Sequence, residues 1–164
     1  MDTVNTKKAE RRTLSYESLA EVSADLDAIQ AAHDARTLRH SGNWTPGEVL
    51  KHTAIFMTCA IDGFPSKAPA PIRWIAQALW KKKALEGGAT PAGFKIPNAA
   101  GFLRPEPGIG FDDGMAALRE QITRIENGEK FTKPSGLFGE LTHEQWMVMQ
   151  LGHFKLHMSF LHQA

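Results

Sequence analysis

Two histidines near the end of the chain, His153 and His157, stand four residues apart in the stretch THEQWMVMQLGHFKLHMSFLHQ at 142–163. In an α-helix, residues four apart project from one face, about one turn from each other. Two imidazoles in that arrangement can bind a single metal ion. The chain has seven histidines, so a coincidental pair at this spacing is common. The pair alone is therefore weak evidence for a metal site.

A third histidine, His52, lies on another predicted helix. Thr45 and Glu48 have the spacing of a capping box, and Pro46 suits the first helical position. His52 shares its predicted face with apolar neighbours at spacings of three and four, namely Val49, Phe56 and Cys59. One imidazole from one helix and two from another would leave coordination positions open, as reactive metal sites do. Spacing alone leaves two alternatives, a three-histidine metal site or partly exposed histidines without a shared function.

Other polar side chains near these histidines are candidates for supporting roles. Glu48 precedes His52 by one helical turn, and Gln150 precedes His153 by three residues. Either side chain could orient a ligand from outside the coordination sphere, although capping explains Glu48 equally well. The remaining histidines lack a matching partner or point elsewhere around their helices, and we expect none to be a ligand: His33, His40, His143 and His162.

Apolar residues at the helical period predict four long helices, at about 15–39, 45–63, 112–128 and 142–163. A shorter helix is predicted at 70–86, with an apolar side formed by Ile72, Ile75, Ala76 and Leu79. Asp112 or Asp113 is the expected cap of the third long helix. No segment shows the period-two pattern of a strand. The sequence thus predicts an all-α fold, an antiparallel four-helix bundle with an extra short helix.

The domain organisation is predicted to be simple. Residues 1–13 are polar and are expected to form a loosely held arm, followed by one helical domain at 14–164. Within it, residues 89–111 are rich in glycine and proline, so a long loop without regular structure is expected there. Loops of this length are often lids or binding segments.

Composition limits the partners and the compartment. The net charge is +1 and charged residues make up 23% of the chain, which argues against nucleic acid or a membrane as the main partner. Cys59 is the only cysteine, which excludes an internal disulfide and fits a reducing compartment. The polar start lacks the apolar region of a secretion signal. A cytoplasmic protein is the expectation.

Four segments of the chain resemble those of a known family. They are GNWTPGEVLKHTAIFMTCAIDGFP at 42–65, LFGELTHEQWMVMQLGHFKLHMSF at 137–160, RRTLSYESL at 11–19 and FKIP at 94–97. The family that they resemble is DUF1569, of the DinB/YfiT-like superfamily of metal-binding four-helix bundles. The resemblance implies a divalent metal, typically zinc or nickel, held by His52, His153 and His157. Many relatives carry Arg-Gln-Phe after the last ligand, where this chain has Ser159-Phe160-Leu161.

The resemblance also implies classes of function. The superfamily includes thiol transferases that use low-molecular-weight thiols, so the expectation is a metal-dependent enzyme acting on a small-molecule substrate. An open metal position could activate a thiol or a water molecule, and the sequence does not choose between a transferase and a hydrolase. Two alternatives stay open, a non-catalytic metal-binding or stress-related bundle and a metal-free bundle that acts in dimerisation. Dimers are common among relatives, so the resemblance leaves a homodimer open, and the sequence itself does not determine the oligomeric state.

Overall fold

The computed structural model describes residues 3–86, 92–93 and 96–163, without the side chain of Ala99. In that part of the chain the structure is mostly helical, as predicted. The four long helices are α1 (Leu19–Asp34), α2 (Pro46–Asp62), α5 (Phe111–Glu126) and α6 (His143–Met158). Two short helices, α3 (Ala70–Leu79) and α4 (Lys81–Leu85), follow α2, and a 3-10 helix spans Asn98–Leu103. Short strands β1 (Arg39–His40) and β2 (Leu161–His162) form an antiparallel pair.

Helix α2, which carries His52, and helix α6, which carries His153 and His157, begin where the sequence predicts. Thr45 caps α2 and Glu48 completes the capping box, with Pro46 at the first helical position. Thr142 and Gln145 form the same box at α6. These side chains satisfy amide groups that have no partner inside the helix. The capping boxes thereby fix the residues at which both helices begin.

The start of α5 differs from the prediction. Gly110 is its N-cap and no side chain makes a capping hydrogen bond, so neither Asp112 nor Asp113 is the cap. Both carboxylates lie in the first turn, where they interact favourably with the helix dipole. The reason is a close contact with α2, because a Cβ atom on Gly47 would lie 2.5 Å from the carbonyl oxygens of Ile109 and Gly110. Backbone packing, rather than a side-chain cap, determines where α5 begins.

The core lies where α2 packs against α5 and α6, with α1 also packing against α5 and α6. Apolar residues predicted from the helical period line it on every long helix. Leu26, Ile29, Leu118 and Trp146 are fully buried members of the predicted stripes. Three residues outside those stripes are fully buried as well: Leu50, Met57 and Phe154. No helix in the described ranges is both long and apolar enough to cross a membrane.

Both ends of the chain differ from expectation. Helix α6 ends at Met158, and the next residues form β2, which pairs with β1 although no strand was predicted. Two residues per strand are too few for a visible alternation of polarity. The arm is attached rather than loose, because the guanidinium of Arg12 donates to both carboxylate oxygens of Asp25 at 2.8 Å.

The segment between α2 and α5 also departs from the predictions. The single helix expected at 70–86 is divided at Trp80 into α3 and α4. Of its predicted apolar side only Ala76 is buried, whereas Ile72, Ile75 and Leu79 are exposed. The loop expected to lack regular structure contains the 3-10 helix Asn98–Leu103. The remainder of that prediction, at 89–91 and 94–95, lies outside the described residues.

Candidate metal centre

The structure brings together the three histidines that the sequence singled out. His52 projects from α2, and His153 and His157 project from α6. One ring nitrogen of each lies within 4.8 Å of the others. The ring centroids are 4.4 to 4.9 Å apart, and the ring planes are inclined by 55° to 68°. The imidazoles therefore face a common centre instead of stacking on one another.

The backbone sets the orientation of His52. Its Nδ1 atom lies 2.6 Å from the carbonyl oxygen of Leu103, at the end of the 3-10 helix. A carbonyl oxygen can only accept, so His52 donates its Nδ1 proton, and Nε2 keeps its lone pair. That lone pair points toward the cluster, since Nε2 of His52 is 3.1 Å from Nε2 of His153. Such a backbone hydrogen bond is a common support for a metal-binding histidine.

Aromatic rings surround the other two imidazoles. The Trp44 ring lies parallel to His157, 5.7 Å between centroids, and 4.7 Å from His52. The Phe56 ring lies 4.3 Å from the His153 ring. His52 is buried, whereas His153 and His157 remain partly accessible. Trp44 and Phe56 thus form apolar walls of the cluster, and its partly exposed members are the two histidines of α6.

This environment keeps the imidazoles neutral. Burial lowers the pKa of His52 to about 4, although the hydrogen bond to the Leu103 carbonyl opposes the shift. Burial, and then the neighbouring His157 and His52, lower the pKa of His153 well below its ordinary value. Burial, and then the neighbouring His52, lower the pKa of His157 well below its ordinary value as well. Neutral imidazole is the form that binds a metal.

The nitrogen atoms fit a divalent transition metal. Two imidazole nitrogens bound to one tetrahedral ion at 2.0–2.1 Å lie about 3.3 Å apart, close to the 3.1 Å between His52 and His153. The 4.8 Å span of the whole set means that the cluster would contract slightly around an ion. Nε2 of His153 is the nitrogen that lies beside His52, whereas its Nδ1 is buried without a hydrogen-bond partner among the described residues.

The two expected supporting residues occupy different surroundings. The carboxylate of Glu48 accepts from the amides of Thr45 at 2.8 Å and Gly108 at 3.0 Å, whereas His52 donates to Leu103. Glu48 therefore ties the loop before α5 to the start of α2. Gln150 is fully buried, and its Oε1 has no partner within the described ranges.

Some contributors to the cluster have weak sequence signals. The Leu103 carbonyl is a backbone group, so no residue type marks it. Trp44 could have been found from its place directly before Thr45, on the approach to α2. Outside the triad, His143 accepts from the Phe131 amide at 3.1 Å and His162 lies 3.0 Å from the Ser41 hydroxyl. Neither joins a metal-binding group among the residues described.

Comparison with known proteins identifies the family alone. The family model described as "Protein of unknown function (DUF1569)" matches residues 8–164. No curated protein and no solved structure matches the chain. The matched segment contains all three histidines of the cluster.

Proposed function

Since this chain belongs to the DUF1569 family, described only as being of unknown function, we propose a function from its histidine cluster. We propose a metal-dependent enzyme in which His52, His153 and His157 hold one zinc or nickel ion and leave coordination positions open. The observation that carries the proposal is the convergence of three neutral imidazoles on one point. The proposed substrate is a small molecule, and the proposed reaction is thiol transfer or hydrolysis.

The ligand chemistry supports an active rather than a purely structural metal. Structural zinc sites usually close all four positions with protein ligands, whereas catalytic sites keep one for water or substrate. In the described part of the chain, only three histidines form the candidate group. A divalent metal there would lower the pKa of a bound thiol or water and so supply a nucleophile.

The surrounding residues have definable tasks in this proposal. The Leu103 carbonyl holds the proton of His52 on Nδ1 and aims Nε2 at the centre. Trp44 and Phe56 restrict the rotation of His157 and His153 and exclude water from their side of the cluster. The 3-10 helix Asn98–Leu103 brings the Leu103 carbonyl into this arrangement. The pairing of α2 with α6 also supports a DinB-like four-helix bundle as the finer description of the fold.

One observation favours a different function. The 3.1 Å separation between Nε2 of His52 and Nε2 of His153 also suits a direct N–H···N hydrogen bond. In that case His153 would be the donor, because His52 carries its proton on Nδ1. A metal-free helical module, acting through dimerisation, is therefore the competing proposal. A non-catalytic metal-binding module lies between the two.

Metal analysis distinguishes a metal site from a metal-free one. Untagged protein, purified without chelating resin, is expected to contain close to one equivalent of zinc or nickel. His153→Ala should lose it, whereas His40→Ala, which removes an exposed imidazole, should retain it. A wild-type content below about a tenth of an equivalent, unchanged by His153→Ala, would exclude the metal site.

A second experiment tests catalysis. A panel of low-molecular-weight thiols with an electrophilic acceptor, and a parallel panel of hydrolysable esters and amides, would be compared for wild type and His52→Ala. Turnover that requires both the metal and His52 supports an enzyme, and the panel that responds identifies the nucleophile. A protein that binds metal stoichiometrically and turns over neither panel supports the non-catalytic alternative.

A further inference from the structure

The polarity of helix α3 is reversed with respect to the protein. Only three of its residues are not exposed, Arg73, Ala76 and Gln77, and two of these are polar. Every exposed residue of the helix is apolar: Ala70, Pro71, Ile72, Trp74, Ile75, Ala78 and Leu79. A surface helix normally turns its apolar stripe to the core. The apolar side of α3 instead faces solvent.

This surface is distinctive within the molecule. Among the described residues, six large hydrophobic side chains are exposed, and five of them lie between 72 and 80. Trp74 is 73% exposed and Leu79 is 66% exposed. At 100° per residue, the exposed apolar side chains from Trp74 to Ile72 cover an arc of about 160°. Contiguous exposed apolar patches mark sites of interaction.

Positive charge accompanies the apolar surface. Between 63 and 85 the sequence has five basic residues and no acidic residue, although the whole chain has a net charge of only +1. Arg73 lies on the inner side of α3, and Lys81 donates to the carbonyls of Phe138 and Glu140. Three lysines remain exposed at the two ends of the helix pair: Lys67, Lys82 and Lys83.

We propose that the outer surface of α3 and α4, defined by Ile72, Trp74, Ile75, Leu79, Trp80, Lys82 and Lys83, docks on a membrane surface that contains anionic phospholipid. An apolar helix face that carries tryptophan enters the boundary between headgroups and acyl chains. Flanking lysines then interact with the anionic headgroups. The sequence-level expectation of no membrane partner rested on net charge, which conceals this local excess.

The positive charge of this surface and the width of its apolar arc argue against binding partners other than a membrane. A two-fold contact between copies of the chain would bring two strongly basic segments together, which is unfavourable. A groove in a protein partner takes a narrower stripe of a helix. Nucleic acid would bind the lysines, but it would leave the aliphatic side chains exposed to water. A bilayer surface accommodates both the wide apolar arc and the lysines.

Vesicle flotation tests the proposal with the full chain. Vesicles of phosphatidylcholine alone and vesicles with one part phosphatidylglycerol would be compared at low and high salt. We expect binding only to the anionic vesicles, weakened by salt, with a blue shift of tryptophan emission. Trp74→Ala should weaken binding about tenfold, and Lys82→Gln with Lys83→Gln about thirtyfold.

Matched controls keep the result specific. Val4→Ala removes an exposed apolar side chain elsewhere, and Lys8→Gln with Lys130→Gln removes two exposed charges elsewhere. Neither control should change binding by more than about twofold.

Equal binding of all variants, equal binding to neutral vesicles, or no binding overturns the proposal. Self-association abolished by Trp74→Ala, or binding to single-stranded DNA or RNA without vesicle binding, overturns it as well. Metal content is independent of each outcome, so this proposal and the metal proposal fail separately.

Discussion

The histidine cluster and the outer surface of α3 reverse the usual pattern of burial in opposite directions. At the cluster, three ionisable rings lie among apolar side chains and are kept neutral there. At α3, apolar side chains face water while Arg73 and Gln77 face the protein. Burying a polar ring without a partner and exposing large apolar groups both cost free energy. A ligand can offset both costs, because a metal ion would bind the buried ring nitrogens and a docked surface would cover the exposed apolar side chains.

The largest expected effect is the difference in the free energy of unfolding between variants of two tryptophans, one at each region. Trp146 is fully buried, donates to the Lys133 carbonyl and packs against Phe56 and Phe64, beneath the cluster. Trp146→Ala should lower the free energy of unfolding by about 3 to 5 kcal/mol. Trp74→Ala should change it by less than about 0.5 kcal/mol. Urea unfolding of both variants measures the difference.

A large effect of Trp74→Ala on stability would contradict the exposed position of that side chain. It would mean that α3 packs against the protein through its apolar side. The vesicle experiment would then lose its premise, whereas the histidine cluster would be unaffected.

The cluster should make the stability of metal-free protein depend on pH, and α3 should not. The pKa of His52 falls from 6.5 to about 4 on folding, so the unfolded chain binds the proton more readily. The stabilisation is present above pH 6.5 and is lost as the pH falls toward 4, by about 2 to 3 kcal/mol at pH 4.5. His153 and His157 act in the same direction. Urea unfolding at pH 7 and 4.5 measures this loss.

The matched variant for the pH experiment is His52→Gln, which removes one titrating ring. Its stability should fall less between pH 7 and 4.5 than that of the wild type, whereas Trp74→Ala should follow the wild type. Identical slopes for wild type and His52→Gln would show that His52 is not held neutral by the fold. Asp25, whose pKa is lowered by Arg12 and Tyr16 against the effect of burial, loses its contribution at lower pH.

Metal binding should stabilise the fold through the cluster alone. Zinc or nickel at a free concentration one hundred times its Kd should raise the free energy of unfolding by about 2.7 kcal/mol. The melting temperature should rise by about 5 to 10 °C. Trp74→Ala should show the same rise, and His153→Ala should show none. An equal rise in His153→Ala would place the metal elsewhere.

Local signals explain how much of the site could be predicted. The capping boxes at Thr45 and Thr142 fix where α2 and α6 begin, and the helical period then places His52, His153 and His157 on defined faces. All of this information lies within one or two turns of each residue. The mostly helical fold follows from the same periodicity.

The errors arose where distant groups decide the outcome. Periodicity identified a stripe through Ile75 and Leu79, but it cannot say whether a stripe faces the core or the solvent. The Leu103 carbonyl that orients His52 belongs to a segment rich in helix-breaking residues, where a 3-10 turn has little signature. The start of α5 depends on the close contact between Gly47 and the backbone at Ile109–Gly110, which no local pattern reports.

The smallest predicted effect concerns Gln150, one turn before His153 on α6. If His153 binds the metal through Nε2, its Nδ1 carries a proton that needs an acceptor. Gln150 Oε1 is a buried acceptor without a donor, and His153 Nδ1 is buried without a partner. A small rotation that joins them would satisfy both groups.

Gln150→Met should therefore raise the Kd for metal about tenfold at little cost in stability, and Gln150→Glu should restore the affinity. Equal metal affinity in wild type and Gln150→Met, measured by competition with a chelator, would leave Gln150 as a packing residue.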